Sequence, residues 1–120
     1  MPVTAIAILG PARSDLDLGP TAFKLLTTLS KAYPLRSVYT IREDALGREI
    51  RIRAKALGFR RLGTSIESQV SEDREAMAVA RFIWKVQRVI VYWDGSPKGA
   101  PAEAIRMCMR MRKPCKVFEL

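Results

Sequence analysis

The stretch that decides the fold covers residues 88–101 and reads RVIVYWDGSPKGAP. Its first six residues, Arg88–Trp93, are almost all apolar, which is typical of a strand buried on both faces of a sheet. Asp94-Gly95 ends the strand, and Pro101 stands where a helix can begin, because proline is accepted in the first helical turn. The stretch therefore predicts a strand, a glycine-containing loop and a helix that continues over residues 102–111.

The rest of the chain alternates strands and helices in the same way. Further strands are predicted at Val3–Leu9, Ser37–Ile41, Phe59–Leu62 and Cys115–Phe118, and helices at Pro20–Tyr33, Asp44–Leu57 and Ser71–Val86. Apolar strands that alternate with helices indicate a parallel sheet with crossover helices. With 120 residues, the chain is predicted to be one α/β domain, Rossmann-like, with about five parallel strands and helices on both faces.

Three helices have predicted inward faces. These are Phe23, Leu26, Leu29 and Tyr33 in the first; Ile50, Ala54 and Leu57 in the second, closed by Gly58; and Ala76, Met77, Ala80, Ile83 and Trp84 in the third. In the third helix, Phe82 and Trp84 lie about 200° apart on a helical wheel, so one of them is expected near the surface. An exposed aromatic side chain often marks a protein contact. We therefore expect a homodimer that buries part of this helix and brings the ligand loops near the interface, as the resemblance given below also implies.

Composition excludes several classes of protein. There is no histidine, so a Ser-His-Asp triad, a Cys-His dyad and an HExxH zinc site are ruled out. Cys108 and Cys115 are predicted to be buried thiols rather than metal ligands, and no cofactor is expected. No apolar run approaches the roughly 20 residues of a membrane span. Without a basic segment before the first strand, no signal peptide is indicated, and a cytoplasmic location is expected.

The charge balance is strongly basic. Lys and Arg number 21 against 12 for Asp and Glu, a net charge of +9. The basic residues cluster at Arg42, Arg48, Arg51, Arg53, Arg60 and Arg61, and again at Arg106, Arg110, Arg112 and Lys113. This balance favours an anionic partner, such as a nucleotide phosphate, a nucleic acid or an acidic protein, although a solvated basic surface has the same composition. Only Phe59 stands beside the central cluster, whereas stacking on nucleic acid needs more aromatic side chains.

Ligands of parallel sheets bind beyond the carboxyl ends of the strands. This rule selects four segments, namely Gly10–Asp15, Ile41–Asp44, Ser71–Glu75 and Asp94–Glu103. In the first, Gly10 and Arg13 can bring backbone amides and a guanidinium to a phosphate. In the third, Arg74 stands at a helix start, where the dipole disfavours a cation. Either the neighbouring carboxylates neutralise it or it meets an anion.

The segment after the strand RVIVYW carries the strongest local signal. Gly95 and Gly99 allow a ligand to approach the backbone, and the helix start offers N–H groups to an anion. Ser96 can add a hydroxyl donor, and Lys98 can add a positive charge. Glu103 lies in the first turn, where its carboxylate would point back toward a bound ligand. A plain βα turn with a capping glutamate is the alternative.

These residues together resemble the SLOG superfamily, in particular its small YspA-like branch. That branch shows an RNxxM helix start, an apolar strand ending in WDG, an SxGT turn and a GKPV segment. The matching stretches here are Arg74-Glu75-Ala76-Met77, VIVYWDG at 89–95, SPKGA at 96–100 and RKPC at 112–115, with an opening AIAILGPAR similar to the family's first strand and GSR turn. The resemblance covers about two thirds of the chain and implies a nucleotide or nucleotide-derived ligand.

The chain departs from the family pattern at three places. The glycine-rich GGAxGAD loop is replaced by IREDALG at 41–47, which keeps one glycine. Glu75 stands where asparagine is expected, and Ala100 where threonine is expected. Either Arg42 fills the space that the glycines leave, or the site no longer binds.

The resemblance also implies an enzymatic alternative. LOG-type phosphoribohydrolases pair an arginine from RKxxM with a glutamate from PGGxGTxxE, and nucleoside deoxyribosyltransferases show a similar GTxxE segment. Arg74 and Glu103 occupy those positions, while the PGG is replaced by GSPK at 95–98. Cleavage of an N-glycosidic bond would then use Glu103 at the anomeric carbon and Arg74 on the phosphate. A DNA-binding branch of the superfamily gives nucleic-acid binding as a third hypothesis.

The predicted ligand site therefore combines separate segments at one edge of the sheet. It comprises Gly10, Arg13, Arg42, Arg74, Asp94, Gly95, Ser96, Lys98, Gly99 and Glu103, of which Arg74 and Glu103 would be catalytic in an enzyme. The hypothesis requires Arg74 and Glu103 to lie at the same edge.

Overall fold

A computed structural model describes residues 3–11, 19–40, 45–63 and 72–120. Strands and helices alternate along these ranges, numbered in chain order as β1 (Ala5–Leu9), α1 (Gly19–Ala32), β2 (Ser37–Thr40), α2 (Ala45–Leu57), β3 (Arg60–Gly63), α3 (Glu72–Lys85), β4 (Arg88–Trp93), α4 (Ala100–Met111) and β5 (Cys115–Glu119). Every predicted element is present. Helix α4 begins earlier than predicted, at Ala100, so that Pro101 lies within its first turn.

The strands form one sheet in the order β3-β2-β1-β4-β5, and all neighbours are parallel. The predicted α/β architecture with a parallel sheet is confirmed. Strands β1 and β4, which are far apart in the chain, are neighbours in the centre, with Leu9 opposite Val91. This order is that of the first five strands in doubly wound nucleotide-binding sheets.

The apolar core has two layers, one on each face of the sheet. In β1, Ile6 and Ile8 belong to a cluster with α1 and α2. Ala7 and Leu9 belong to a second cluster with α3 and α4. Because the central strands are buried on both faces, their sequences are continuous apolar runs rather than alternating ones.

Two helices end in the same backbone motif. After α2, Gly58 has φ +87°, its N–H donates to Lys55, and the N–H of Phe59 donates to Ala54. This is a Schellman ending, and it confirms Gly58 as the predicted cap. After α4 the corresponding residue is Arg112, with φ 52° and ψ 39°, so a side chain occupies a left-handed conformation that favours glycine.

The predicted inward face of α3 was wrong in part. Ile83 is buried, but Met77 is 58% exposed and Trp84 is 75% exposed. Besides Ile83, the side chains that pack on the sheet are Val79 and, directly after the helix, Val86. Both sets have helical spacing, and the choice between them is made by the sheet, against which three branched side chains pack closely.

The predicted inward faces of α1 and α2 are correct except at Phe23. Leu26 and Leu29 of α1 and Ile50 and Ala54 of α2 are buried. Phe23 is 40% exposed, and the guanidinium of Arg53 lies 4.8 Å from its ring centroid. Phe23 therefore lies at the surface, where it contacts Arg53 of α2, while its neighbour Ala22 is fully buried.

None of the helices in the described ranges has the length and apolar character needed to cross a bilayer.

Candidate functional site

The loop Asp94–Gly99 follows β4 at the point where the sheet changes direction. From β1 the chain passes through α1 to β2 on one side, whereas from β4 it passes through α4 to β5 on the other side. Since Leu9 pairs with Val91, Gly10 lies beside the carboxyl end of β4. Ligands of doubly wound sheets bind in the crevice that such a switch point opens.

Three hydrogen bonds within the loop hold its shape. The carboxylate of Asp94 accepts from the backbone N–H of Ser96 at 3.0 Å, and the hydroxyl of Ser96 accepts from the N–H of Lys98 at 3.3 Å. The indole of Trp93 donates to the carbonyl of Ser96 at 2.8 Å. Asp94 and Ser96 thus have structural roles as turn residues, and their contact with a ligand stays a prediction.

Both glycines of the loop have backbone conformations that other residues rarely adopt. Gly95 has φ +87° and Gly99 has φ +95°, and ψ of 176° places Gly99 in a region reached essentially by glycine alone. A Cβ at either position would meet no close contact. The glycines are therefore required for backbone geometry. Gly99 is also the N-cap of α4 and, as a glycine, has no side chain with which to cap it.

Glu103 lies in the first turn of α4, as predicted. Its carboxylate accepts from Arg106 of the same helix, with Nη2 at 2.8 Å and Nε at 3.3 Å. Arg106 also donates from Nη1 to the carbonyl of Pro97 at 3.1 Å. The guanidinium of Arg106 thus links the carboxylate of Glu103 to the loop.

Arg74 lies in the first turn of α3, at the same edge of the sheet as Glu103. Helices α3 and α4 both pack on the cluster that contains Val79 and Ala104, and both run back from the carboxyl ends of strands to the amino ends of the next. The backbone therefore places the two residues on one face and at one edge. The side chain of Arg74 lies outside the described part of the chain, as do Arg13 and Arg42.

Sequence reasoning missed two buried hydroxyls near this edge. Tyr92 is 1% exposed and Thr40 is 3% exposed, and neither hydroxyl has a hydrogen-bond partner in the described part of the chain. The Tyr92 ring stacks on Phe118 with centroids 5.3 Å apart, and burial raises the pKa of Tyr92. No sequence pattern indicated these groups, because both stand within ordinary strand residues.

Trp93 and Arg106 were also missed as parts of the site. Trp93 was assigned to the strand and to the WDG motif but not to the ligand site, and Arg106 only to a basic cluster. The spacing of Glu103 and Arg106, three residues apart on a helix, was the available signal for their ion pair.

The start of α4 can attract an anion. Lys98 is exposed beside it, where the helix dipole is positive. Within the described ranges, no group of three or more Cys, Asp or Glu residues is arranged to hold a metal ion.

The strand order and the loop define the class: a doubly wound α/β protein with a glycine-containing loop at its switch point. No model of a known protein family matches the chain, and no curated protein matches it either. The resemblance to the SLOG superfamily therefore stays a prediction from the residues that carry it.

Proposed function

We propose that this chain is a Rossmann-like, SLOG-type module that binds a nucleotide or nucleotide-derived phosphorylated ligand at the carboxyl edge of its sheet. One observation carries the proposal. The loop Asp94–Gly99 is held in shape by its own hydrogen bonds and leads into the start of α4, beside Gly10 at the switch point.

The positive groups at the start of α4 favour a phosphate over a neutral ligand. The first turn of α4 carries the positive end of the helix dipole, and Lys98 adds an exposed ammonium group. The net charge of +9 also increases the encounter rate with anions. A phosphate at the start of α4 would meet the positive end of this dipole.

The first experiment is native mass spectrometry of the purified chain, followed by denaturation to release a co-purified nucleotide. Titration calorimetry with AMP, ADP and ATP, and with adenosine as the neutral probe, then measures affinity. We expect saturable binding of a nucleotide and at least tenfold weaker binding of the nucleoside. Equal binding of nucleoside and nucleotide, or binding of none of the four, would contradict the proposal.

A matched pair of lysine variants locates the phosphate. Lys98→Gln should weaken nucleotide binding by roughly fivefold to tenfold, the effect of losing one charge-assisted hydrogen bond. Lys31→Gln removes an equally exposed lysine from the last turn of α1, at the other edge of the sheet, and should leave binding unchanged. If both variants weaken binding equally, the effect is one of net charge, and nucleic acid becomes the better hypothesis.

A second candidate function is cleavage of a nucleotide N-glycosidic bond. It is favoured by the placement of Arg74 and Glu103 in the first turns of two helices on one face of the sheet. Glu103→Gln should abolish release of free base from a nucleoside monophosphate, and Glu119→Gln, at the end of β5, should not. Absence of base release across purine and pyrimidine monophosphates would exclude this activity.

The proposal includes a homodimer formed through α3. Met77 and Trp84 are seven residues apart on the helix stripe opposite the buried one, and both are more than half exposed. Two such stripes packed together would cover these side chains. Light scattering at micromolar concentration should give a dimer mass that Trp84→Ser reduces to the monomer mass. A monomer at both low and moderate salt would contradict the dimer.

A further inference from the structure

A groove of about 420 Å³ runs between α1 and the amino-terminal halves of β4 and β5. It is lined mainly by Leu25, Leu29, Arg88, Ile90, Lys116 and Phe118. Helices α1 and α2 pack over the other half of this face, and α4 packs on the opposite face. Within the described ranges, this half of the sheet face therefore has α1 along one side and no helix above it.

Strand register brings the groove residues together. Arg88 and Ile90 of β4 alternate onto the α1 side of the sheet, as do Lys116 and Phe118 of β5. Ile90 pairs with Lys116, and Tyr92 pairs with Phe118. Lys116 therefore lies beside Ile90, and the two cations stand diagonally on neighbouring strands of one face, two residues apart in register.

Both cations contact neutral aromatic groups. Arg88 donates from Nη1 to the hydroxyl of Tyr33, and its guanidinium lies 5.4 Å from the ring centroid. The ammonium of Lys116 lies 5.7 Å from the ring centroid of Phe118. None of the described residues that line the groove is acidic. Among these residues, the groove thus combines two positive charges with apolar walls and no balancing carboxylate.

We propose that this groove binds a small organic anion with an apolar body, an acyl or aryl carboxylate. The carboxylate would lie between Arg88 and Lys116, and the apolar body along Leu25, Ile90 and Phe118. A neutral apolar ligand leaves the cations without a counter-charge, and a bare anion leaves the apolar wall in water. The volume lies in the range of small-molecule pockets. The groove is on the α1 side at the amino-terminal edge, so this inference is independent of the proposed nucleotide site.

In the test, three small molecules are titrated into the full chain, and binding is monitored by the amide chemical shifts in NMR spectra. Octanoate has both the charge and the apolar body, 1-octanol has the body alone, and acetate has the charge alone. We expect saturable binding of octanoate, with shifts at Val89–Val91 and Cys115–Val117, and at least tenfold weaker binding of the other two. Equal affinity for octanoate and octanol, or octanoate shifts confined to the Asp94–Gly99 loop, would overturn the proposal.

Variants separate the contributions of charge and shape. Lys116→Gln should weaken octanoate binding by roughly tenfold, the equivalent of one charge-assisted hydrogen bond. Lys85→Gln, an exposed lysine at the end of α3 on the opposite face of the sheet, should not change it. Leu25→Trp fills the groove and should abolish binding. Unchanged affinity in Lys116→Gln would overturn the proposal. A second outcome would also overturn the proposal. If the chain forms a dimer that binds no octanoate and that Leu25→Trp dissociates, the occupant of the groove is a second copy of the chain.

Discussion

The indole nitrogen of Trp93 lies 2.8 Å from the carbonyl oxygen of Ser96. This hydrogen bond connects the last residue of β4 to the middle of the loop that precedes α4. Because Asp94 holds the N–H of the same Ser96, both backbone polar groups of Ser96 are bonded within the loop. The start of α4 is therefore positioned before any ligand arrives.

Trp93 should report ligand binding by its fluorescence. The chain has two tryptophans, and the other, Trp84, is 75% exposed on α3. In Trp84→Phe, emission comes from Trp93 alone, and we expect a saturable change on addition of the nucleotide. Trp93→Phe, which retains Trp84, should show no such change and should weaken binding about fivefold, because the loop loses one hydrogen bond. A response from Trp84 instead would place the ligand elsewhere.

Gly99→Ala should impair both stability and binding. Its φ of +95° with ψ of 176° is strained for alanine, at a cost of about 1–3 kcal/mol. Gly58→Ala is the matched control, because Gly58 also has a positive φ but ends α2 at the other edge of the sheet. Urea unfolding should show both variants destabilised, and calorimetry should show nucleotide binding weakened only in Gly99→Ala. Equal nucleotide affinity of the two variants would show that the loop does not take part in binding.

Arg112→Gly should stabilise the protein. Arg112 adopts φ 52°, which costs a non-glycine residue about 1 kcal/mol. We expect the free energy of unfolding to rise by about 0.5–1 kcal/mol in urea titrations. Arg110→Gly removes the same side chain two residues earlier, inside α4, where glycine should destabilise by about 1 kcal/mol. If both variants change the free energy of unfolding in the same direction, the loss of charge, and not the backbone conformation, determines the effect.

Gln87 should be important for anchoring β1. Its side-chain oxygen accepts from the backbone N–H of Ala5 at 2.8 Å and of Thr4 at 3.0 Å. Gln87→Leu leaves these half-buried donors without an acceptor, so we expect a loss of about 2–3 kcal/mol in the free energy of unfolding. Gln87→Glu retains an acceptor and should lose less than about 1 kcal/mol. Equal losses in the two variants would show that these hydrogen bonds contribute little.

The two cysteines should differ in reactivity. A hydrogen bond to Cys115 raises the pKa of Cys108, which is buried, and burial raises it further. The same hydrogen bond lowers the pKa of Cys115. The thiolate of Cys115 is therefore populated at lower pH, and iodoacetamide should modify Cys115 first, at a rate that rises with pH through its lowered pKa.

Cys108→Ala tests the origin of this difference. Without the hydrogen bond, the pKa of Cys115 should rise, and its alkylation below that pKa should slow by roughly tenfold per pKa unit. Mass spectrometry of the labelled peptides measures both rates, and labelling in urea serves as the reference for accessible thiols. Faster labelling of Cys108 than of Cys115 in the native state would contradict the assignment.

The candidate site was predicted from sequence mainly where backbone conformation dictates the residue. Positive φ angles require glycine at Gly95 and Gly99. Glycines between a predicted strand and a predicted helix are easy to recognise in a sequence. The hydrogen bonds of Arg106 to Glu103 and to Pro97 were harder to predict, because a basic residue on a helix surface can have many partners. No sequence signal predicted the unpartnered hydroxyl of Tyr92, since its burial depends on α1, on Phe118 and on a neighbouring strand.

The sequence by itself determined the order of strands and helices, the parallel sheet and the loop between β4 and α4. These follow from local periodicity, from caps such as Gly58 and from apolar runs, which act over a few residues. Only the tertiary structure decided that β1 lies beside β4, that Val79 rather than Met77 faces the sheet, and that Arg88 and Lys116 share a groove. One physical reason is that α3 carries two apolar stripes of equal spacing, so the sequence alone does not choose between them. The other is that contacts between distant strands depend on how the whole sheet buries its surface, and no local sequence pattern contains that information.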